Sequence, residues 1–284
     1  MVREFKLLNE KGESFSLMDI KNYCLLTEPI GLGYTYATEY EQLGNTFVDN
    51  LRKLEQGQIN ATLNFINYDN YRNFIDFAEK SEQLRLAYKI PFKDSQEEYL
   101  RDINIQTISK SEIKVNGVIS ENIIIECKSL WYKEKNFIYD MTAQEGEIRW
   151  DFQWDSRFVS YNIRSLEFIN KGHVDAPIIL EIAGHVLNPE IQLYVEGELM
   201  QTVSLTVEIQ EYEKLLYGTK ENDFYIYRQN TDGTLDSLFT LDVLDFAADN
   251  VIRLPKNKSC KIKLSAENDI TDAKMKILEY YKAI

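Results

Sequence analysis

Cysteine, histidine and proline are scarce in this 284-residue chain, at 3, 2 and 5 copies, and each shortage removes a class of explanation. Cys24, Cys127 and Cys260 are odd in number, far apart and never in a CxxC pair. That spacing excludes a disulfide framework and a structural zinc site, and reads as three reduced thiols. So few prolines leave no long Pro-rich linker. No apolar run approaches the ~18 residues that cross a bilayer. The opening "MVREFKLLNEKGESF" carries charges where a signal peptide needs an apolar core. The expectation is a protein neither secreted by a visible signal nor embedded in a membrane.

Basic charge is the other shortage. Lys and Arg number 32 against 46 Asp and Glu, a formal net charge of −14. Residues 1–150 hold 18 against 24 and the remainder 14 against 22, so neither half offers a basic footprint for gripping phosphates. An acidic surface speaks first to solubility. It also suits a wall that nucleic acid must pass without sticking.

What is present is strand-forming. Hydrophobic residues at 44% and charged residues at 27% are those of a soluble globular protein with room for one large domain or two ordinary ones. "FKLLNEKGESFSL" reads as a hairpin turning at Asn9 to Gly12. "QINATLNFI" alternates, with Ile59, Ala61, Leu63 and Phe65 on one face and Asn60, Thr62 and Asn64 on the other. One helix is expected over about 67–80: Tyr71, Phe74, Ile75 and Ala78 share a face, and Asn67 or Asp69 can cap it. Leu84, Leu86 and Tyr88 alternate again. Residues 133–157 lose their periodicity and mark a crossing between domains, where Trp150 and Trp154 could cover an apolar surface. Beyond it, short strands such as "APIILEIAG", "EIQLYVEGE", "FYIYRQN" and "KMKILEYY" favour a β-sandwich.

Each candidate for chemistry is thin. His173 and His185 flank "PIILEIAG", with Glu181 on the same strand face as His185, but a metal wants three or four converging ligands. They read as structural residues. Asn188-Pro189 has the composition of a type I turn, which would make "IILEIAG" and "IQLYVEG" antiparallel neighbours. "PIGLGYTY" echoes a phosphate loop through Gly31 and Gly33, yet Tyr36 stands in place of the third glycine and no helix follows, so a permissive loop is expected. Acidic pairs such as Glu97/Glu98 and Asp151/Asp155 occur by chance among 46 acids. No GxSxG is present. The aromatic groups "NYDNYRNF", "LWY" and "FYIY" lack the basic company that base stacking needs and read as core or interface. The expectation is no catalytic residue, no metal site, no cofactor and no enzyme.

The ordered set of segments resembles a family. "FKLLNEKGESFSL", "EPIGLGYTYATEYEQLGNTFV", "INATLNFINYDNYRNFIDFAEKSEQLRLAYKI", "YLRDINIQTISKSEI", "LWYKE", "FINKGHVDAPIILEIAGHVLNPEIQLYVEG" and "MKILEYYKAI" together are similar to the distal tail proteins of long-tailed phages (siphophages) that infect Gram-positive bacteria. The resemblance implies a mainly β chain: an N-terminal ring-forming, tail-tube-like domain over 1–140 with one helix, a crossing over 141–157, and a galectin-like β-sandwich over 158–284. It implies a virion structural protein at the tail tip, assembled in the host bacterial cytoplasm. Its partners would be copies of itself in a homo-hexamer, the tail tube protein, the tail-tip hub protein and receptor-binding baseplate proteins. DNA would pass through the lumen without specific binding, and no membrane is involved. Some members carry inserted carbohydrate-binding modules, for which this chain has little room. The alternative reading is a carbohydrate-binding module that recognises host cell-wall glycans.

Overall fold

The structure, a computed structural model, describes residues 3–19, 23–89, 98–111, 117–138, 164–221, 223–268, 270 and 272–284. The chain divides into two compact units, residues 1–133 with 280–284, and residues 134–279.

The first unit is built from β1 (Glu4–Asn9), β2 (Ser14–Ser16), β3 (Met18–Asp19), β4 (Cys24–Ile30), β5 (Tyr36–Leu43), β6 (Thr46–Leu54), β7 (Gln58–Phe65), α1 (Tyr68–Lys80), β8 (Leu84–Lys89), β9 (Glu98–Ile108), β10 (Ile119–Cys127) and the start of β11 (Trp131–Ile138). The β1–β2 hairpin turns where the sequence said it would. Asn9 Oδ1 accepts from the amides of Lys11 and Glu13, and Gly12 takes a φ of 79°. Antiparallel pairing runs from β1 to β8, β9, β10, β7 and β4. Leu17 then joins the ends. Its amide donates to Phe5 O at 2.9 Å, and its carbonyl accepts from Leu26 N at 2.8 Å. The sheet therefore curls around its own apolar face.

That face is the alternating set of the sequence: Ile59, Leu63 and Phe65 are buried while Asn60 is exposed. α1 packs on it through Phe74, whose ring meets Phe15 and Phe65 at 5.6 and 5.7 Å. Asn67 is the cap, its Oδ1 accepting from Asn70 N at 2.9 Å. This satisfies one of the first-turn amides that the helix leaves open.

The second unit holds the rest of β11, then β12 (Arg164–Ile169), β13 (Ala176–Ala183), β14 (Val186–Leu187), β15 (Glu190–Val195), β16 (Glu198–Ser204), β17 (Glu208–Ile209), β18 (Lys214–Lys220), β19 (Asp223–Gln229), β20 (Leu235–Ser237), β21 (Arg253–Leu254), β22 (Ser259–Ser265) and β23 (Asp272–Tyr281). One sheet runs β20-β19-β18-β13-β23 and the other β12-β22-β15-β16. Their inner faces meet in a core that includes Ile178, Leu180, Leu215, Tyr217 and Ile277 from the first, and Ile191, Leu193, Ile262 and Leu264 from the second. This is a two-sheet sandwich. The unit boundaries fall inside β11 and β23, and residues 280–284 belong to the first unit.

The expected pairing across Asn188-Pro189 fails. β13 and β15 are not antiparallel neighbours. β13 pairs with β18, β21 and β23, and β15 pairs with β16 and β22. Between them Gly184 (φ 92°) and Asn188 (φ 49°) turn the chain while Val186 stays fully buried, so the segment crosses from one sheet to the other. A tight turn at Asn188-Pro189 would have left the second sheet without its central strand. Trp150, Trp154 and the acidic pair Asp151/Asp155 lie outside the described residues, as does Glu97.

Candidate assembly surface

The histidine segment owes its shape to an asparagine. Asn170 is completely buried before β13. Its amide donates to Val174 O and Leu254 O, both at 2.9 Å, and its Oδ1 accepts from Gly172 N at 2.8 Å. Its own carbonyl accepts from Asn257 N. His173 is an exposed residue on the loop that Asn170 shapes. His185 lies beyond the other end of β13, and the seven residue steps from 176 to 183 alone span about 23 Å of strand. The two imidazoles do not converge.

His185 instead sits in a small surface network. The Asn268 amide donates to Nδ1 at 2.9 Å and to the His185 carbonyl at 2.7 Å, which leaves Nε2–H to donate to Glu208 at 3.0 Å. That hydrogen bond, followed by one from Gln210, holds the Glu208 carboxyl below its ordinary range. Glu181, the expected neighbour, pairs with Lys214 at 2.8 Å. The groove beside this network is lined by Tyr212, Glu213 and Lys214 among others; Glu213 accepts from the Gln210 amide and Lys214 pairs with Glu181. No group of three potential ligands gathers among the described residues.

The remaining candidates resolve into packing. Gly31 (φ 98°) lies so close to β7 that a Cβ there would stand 2.0 Å from the Gln58 carbonyl oxygen, so the glycine serves a backbone crossing. Trp131 is buried and donates to Leu32 O at 2.8 Å, fastening the same loop. All three thiols are buried, and desolvation pushes Cys24 up to about 12 and Cys260 up to about 11. Such thiols are inert. Glu98 pairs with Lys6 at 2.8 Å on the surface.

The feature that packing does not absorb is the β5–β6 hairpin. It forms a two-stranded sheet of its own, joined through a two-residue Gly44-Asn45 turn with Gly44 at φ 65°. Almost every residue along it is exposed. The register, with a bulge after Glu39, places Tyr36, Tyr40, Phe47 and Leu54 on one face and Leu43, Val48 and Leu51 on the other. Phe47 is 67% exposed and Tyr40 61%. An isolated two-stranded ribbon is marginal in water, and apolar groups on both faces raise the cost. Its base is pinned: Arg52 lies over the Tyr36 ring at 4.3 Å, and the Lys282 ammonium meets the same tyrosine.

With the hairpin and the closed sheet described, likeness to known proteins becomes informative. Residues 4–128 match the distal tail protein N-terminal domain. Over these residues the chain is similar to that domain. The hairpin lies wholly inside the matched region. A search of curated protein sequences finds no match. Among solved structures, a chain of the phage P2 baseplate in its activated conformation with calcium is similar at a TM-score of 0.68 and 17% identity, over 100% of both chains. The strontium form of that baseplate gives 0.67 and 17%, again over 100% of both. The distal tail protein of phage SPP1 (gp 19.1), described as a paradigm of hub adsorption apparatus in Gram-positive infecting phages, gives 0.57 and 11% over 97% of this chain and 98% of its own. At these identities the likeness establishes a shared fold across both units. The sequence reads "PIGLGYTY" as a permissive loop and assigns no strands to the residues that follow, so the hairpin was missed. The available signal was Gly44-Asn45 between two strand-prone runs.

Proposed function

We propose that this protein is a structural component of a phage tail tip: a hexameric ring that joins the tail tube to the tail-tip hub and its receptor-binding proteins, with a central channel for DNA. The observation that carries the reading is the β5–β6 hairpin, whose two faces each carry exposed apolar groups that the described residues do not cover. A ribbon exposed on both faces fits between surfaces of a neighbouring copy that differ from itself. Such a heterologous contact, repeated by rotation, closes into a ring. The count of six and the tail partners follow the family, as does the division of roles, with ring formation in residues 1–140 and an outward sandwich in 158–284. The role is architectural rather than enzymatic, and the protein resides in the virion.

The acidity has a task in that ring. A basic channel would gain from releasing DNA counterions and would hold the strand, whereas a wall rich in Asp and Glu lets it slide. A lysine-lined channel would contradict this part of the proposal.

Mass photometry of the purified full chain, compared with the F47K/L51K double variant, tests the reading. Wild type is expected to populate a hexamer that the variant loses at equal folded content. Equal assembly by the two proteins would overturn the role given to the hairpin.

A further inference from the structure

A second uncovered surface lies on the sandwich, far along the chain from the hairpin. Between β20 and β21 the segment 238–250 climbs out of the core on a ladder of rings. Buried Tyr217 meets Phe224 at 6.1 Å, Phe224 meets Phe239 at 5.6 Å, and Phe239 meets Phe246 at 4.8 Å, each close to perpendicular. The ladder ends in water. Phe239 and Phe246 are exposed, and beside them Leu241 is 82% exposed.

This exposure is not slackness. Leu238 and Leu244, on either side of Leu241, are buried. Tyr217 Oη donates to Asn250 O at 2.8 Å and accepts from Ile252 N at 3.0 Å, while the Asn250 amide donates to Asp245 O and Ala248 O. The Thr206 amide donates to Val243 O. A loop fastened at so many points presents its apolar tip in one conformation, and a rigid anchor loses little entropy when it binds.

The surroundings specify what binds. From Asn230 to Asn250 the chain holds five aspartates, Asp232, Asp236, Asp242, Asp245 and Asp249, and no Lys or Arg. Asp242, Asp245 and Asp249 are exposed beside the apolar tip. Two copies of this patch would face each other acid to acid, which disfavours self-pairing, and an anionic bilayer would repel it. We propose that Phe239, Leu241 and Phe246 form a docking site for a different protein, one that presents an apolar pocket rimmed by Lys and Arg. The site uses no residue of the hairpin.

The test is selection of a displayed random-peptide library on the immobilised full chain, followed by anisotropy measurements on the enriched peptides. Enriched sequences are expected to combine apolar anchors with Lys or Arg. They should bind more weakly as salt rises, lose roughly tenfold or more in affinity to L241S, and weaken for D242K, which keeps the apolar tip intact. Enrichment of acidic or uncharged peptides, or binding that L241S leaves unchanged, would overturn the proposal. So would a concentration-dependent dimer in sedimentation that L241S abolishes, because the occupant would then be a second copy.

Discussion

At the scale of the residue, the conspicuous side chains are not the ones that hold the fold. His173 and His185 draw the eye because they are the only two, yet Asn170 satisfies three backbone groups, two of them in fully buried contacts. Removing it strands buried carbonyls, at a cost of about 2–4 kcal/mol, whereas an exposed histidine costs under about 0.5 kcal/mol. Urea melts of N170A and H173A should differ accordingly, and equal midpoints would refute the assignment. Nothing in the sequence separates Asn170 from the other asparagines, because its importance lies in Leu254, 84 residues away. The thiols give a second prediction. Burial raises Cys24 above its unfolded value to about 12. Its contribution to stability is therefore complete below the unfolded pKa near 9 and fades as pH climbs toward 12. In the folded chain Cys24 should resist alkylation at neutral pH until denaturant is added, as read by mass spectrometry.

At the scale of the element, one-sided patterns were legible and two-sided ones were not. The β1–β2 hairpin, the strand β7 and the helix α1 each have one wet and one dry face, so their periodicity declared them. In β13 the alternation separates buried Ile178, Leu180 and Ile182 from Ile179, Glu181 and Ala183, but alternation names a face and not a partner, so the sheet crossing before β15 went unseen. β5 and β6 mix apolar and charged residues on both faces and so were not read as strands. That mixture is what a ribbon covered on both sides by other chains requires. Gly31 gives the corresponding test of a loop. With a Cβ only 2.0 Å from the Gln58 carbonyl and φ at 98°, G31A must displace β7 or the loop fastened by Trp131. A loss of about 2–4 kcal/mol is expected by thermal or urea unfolding. A neutral G31A would restore the permissive-loop reading.

At the scale of the whole molecule, the sequence supplied the class, a mainly β chain with a single described helix, while the surfaces that give the class its use came from coordinates. Composition excluded metal frameworks and phosphate grips. It could not show that two of the places where uncovered apolar groups gather differ in their electrostatics. On the hairpin, Arg52 and Lys53 accompany Glu39, Glu41 and Asp49, a mixed pattern suited to contact with copies of the same acidic chain. On the sandwich, the segment that carries the apolar tip holds aspartates and no Lys or Arg, and calls for a basic partner. The central claim is that the hairpin is an interface between copies. Electron microscopy of the purified full chain, taken to a resolution that traces strands, tests it most directly: the account predicts sixfold rings with β5 and β6 enclosed between adjacent subunits, and a closed assembly in which that hairpin stands free in solvent would contradict it.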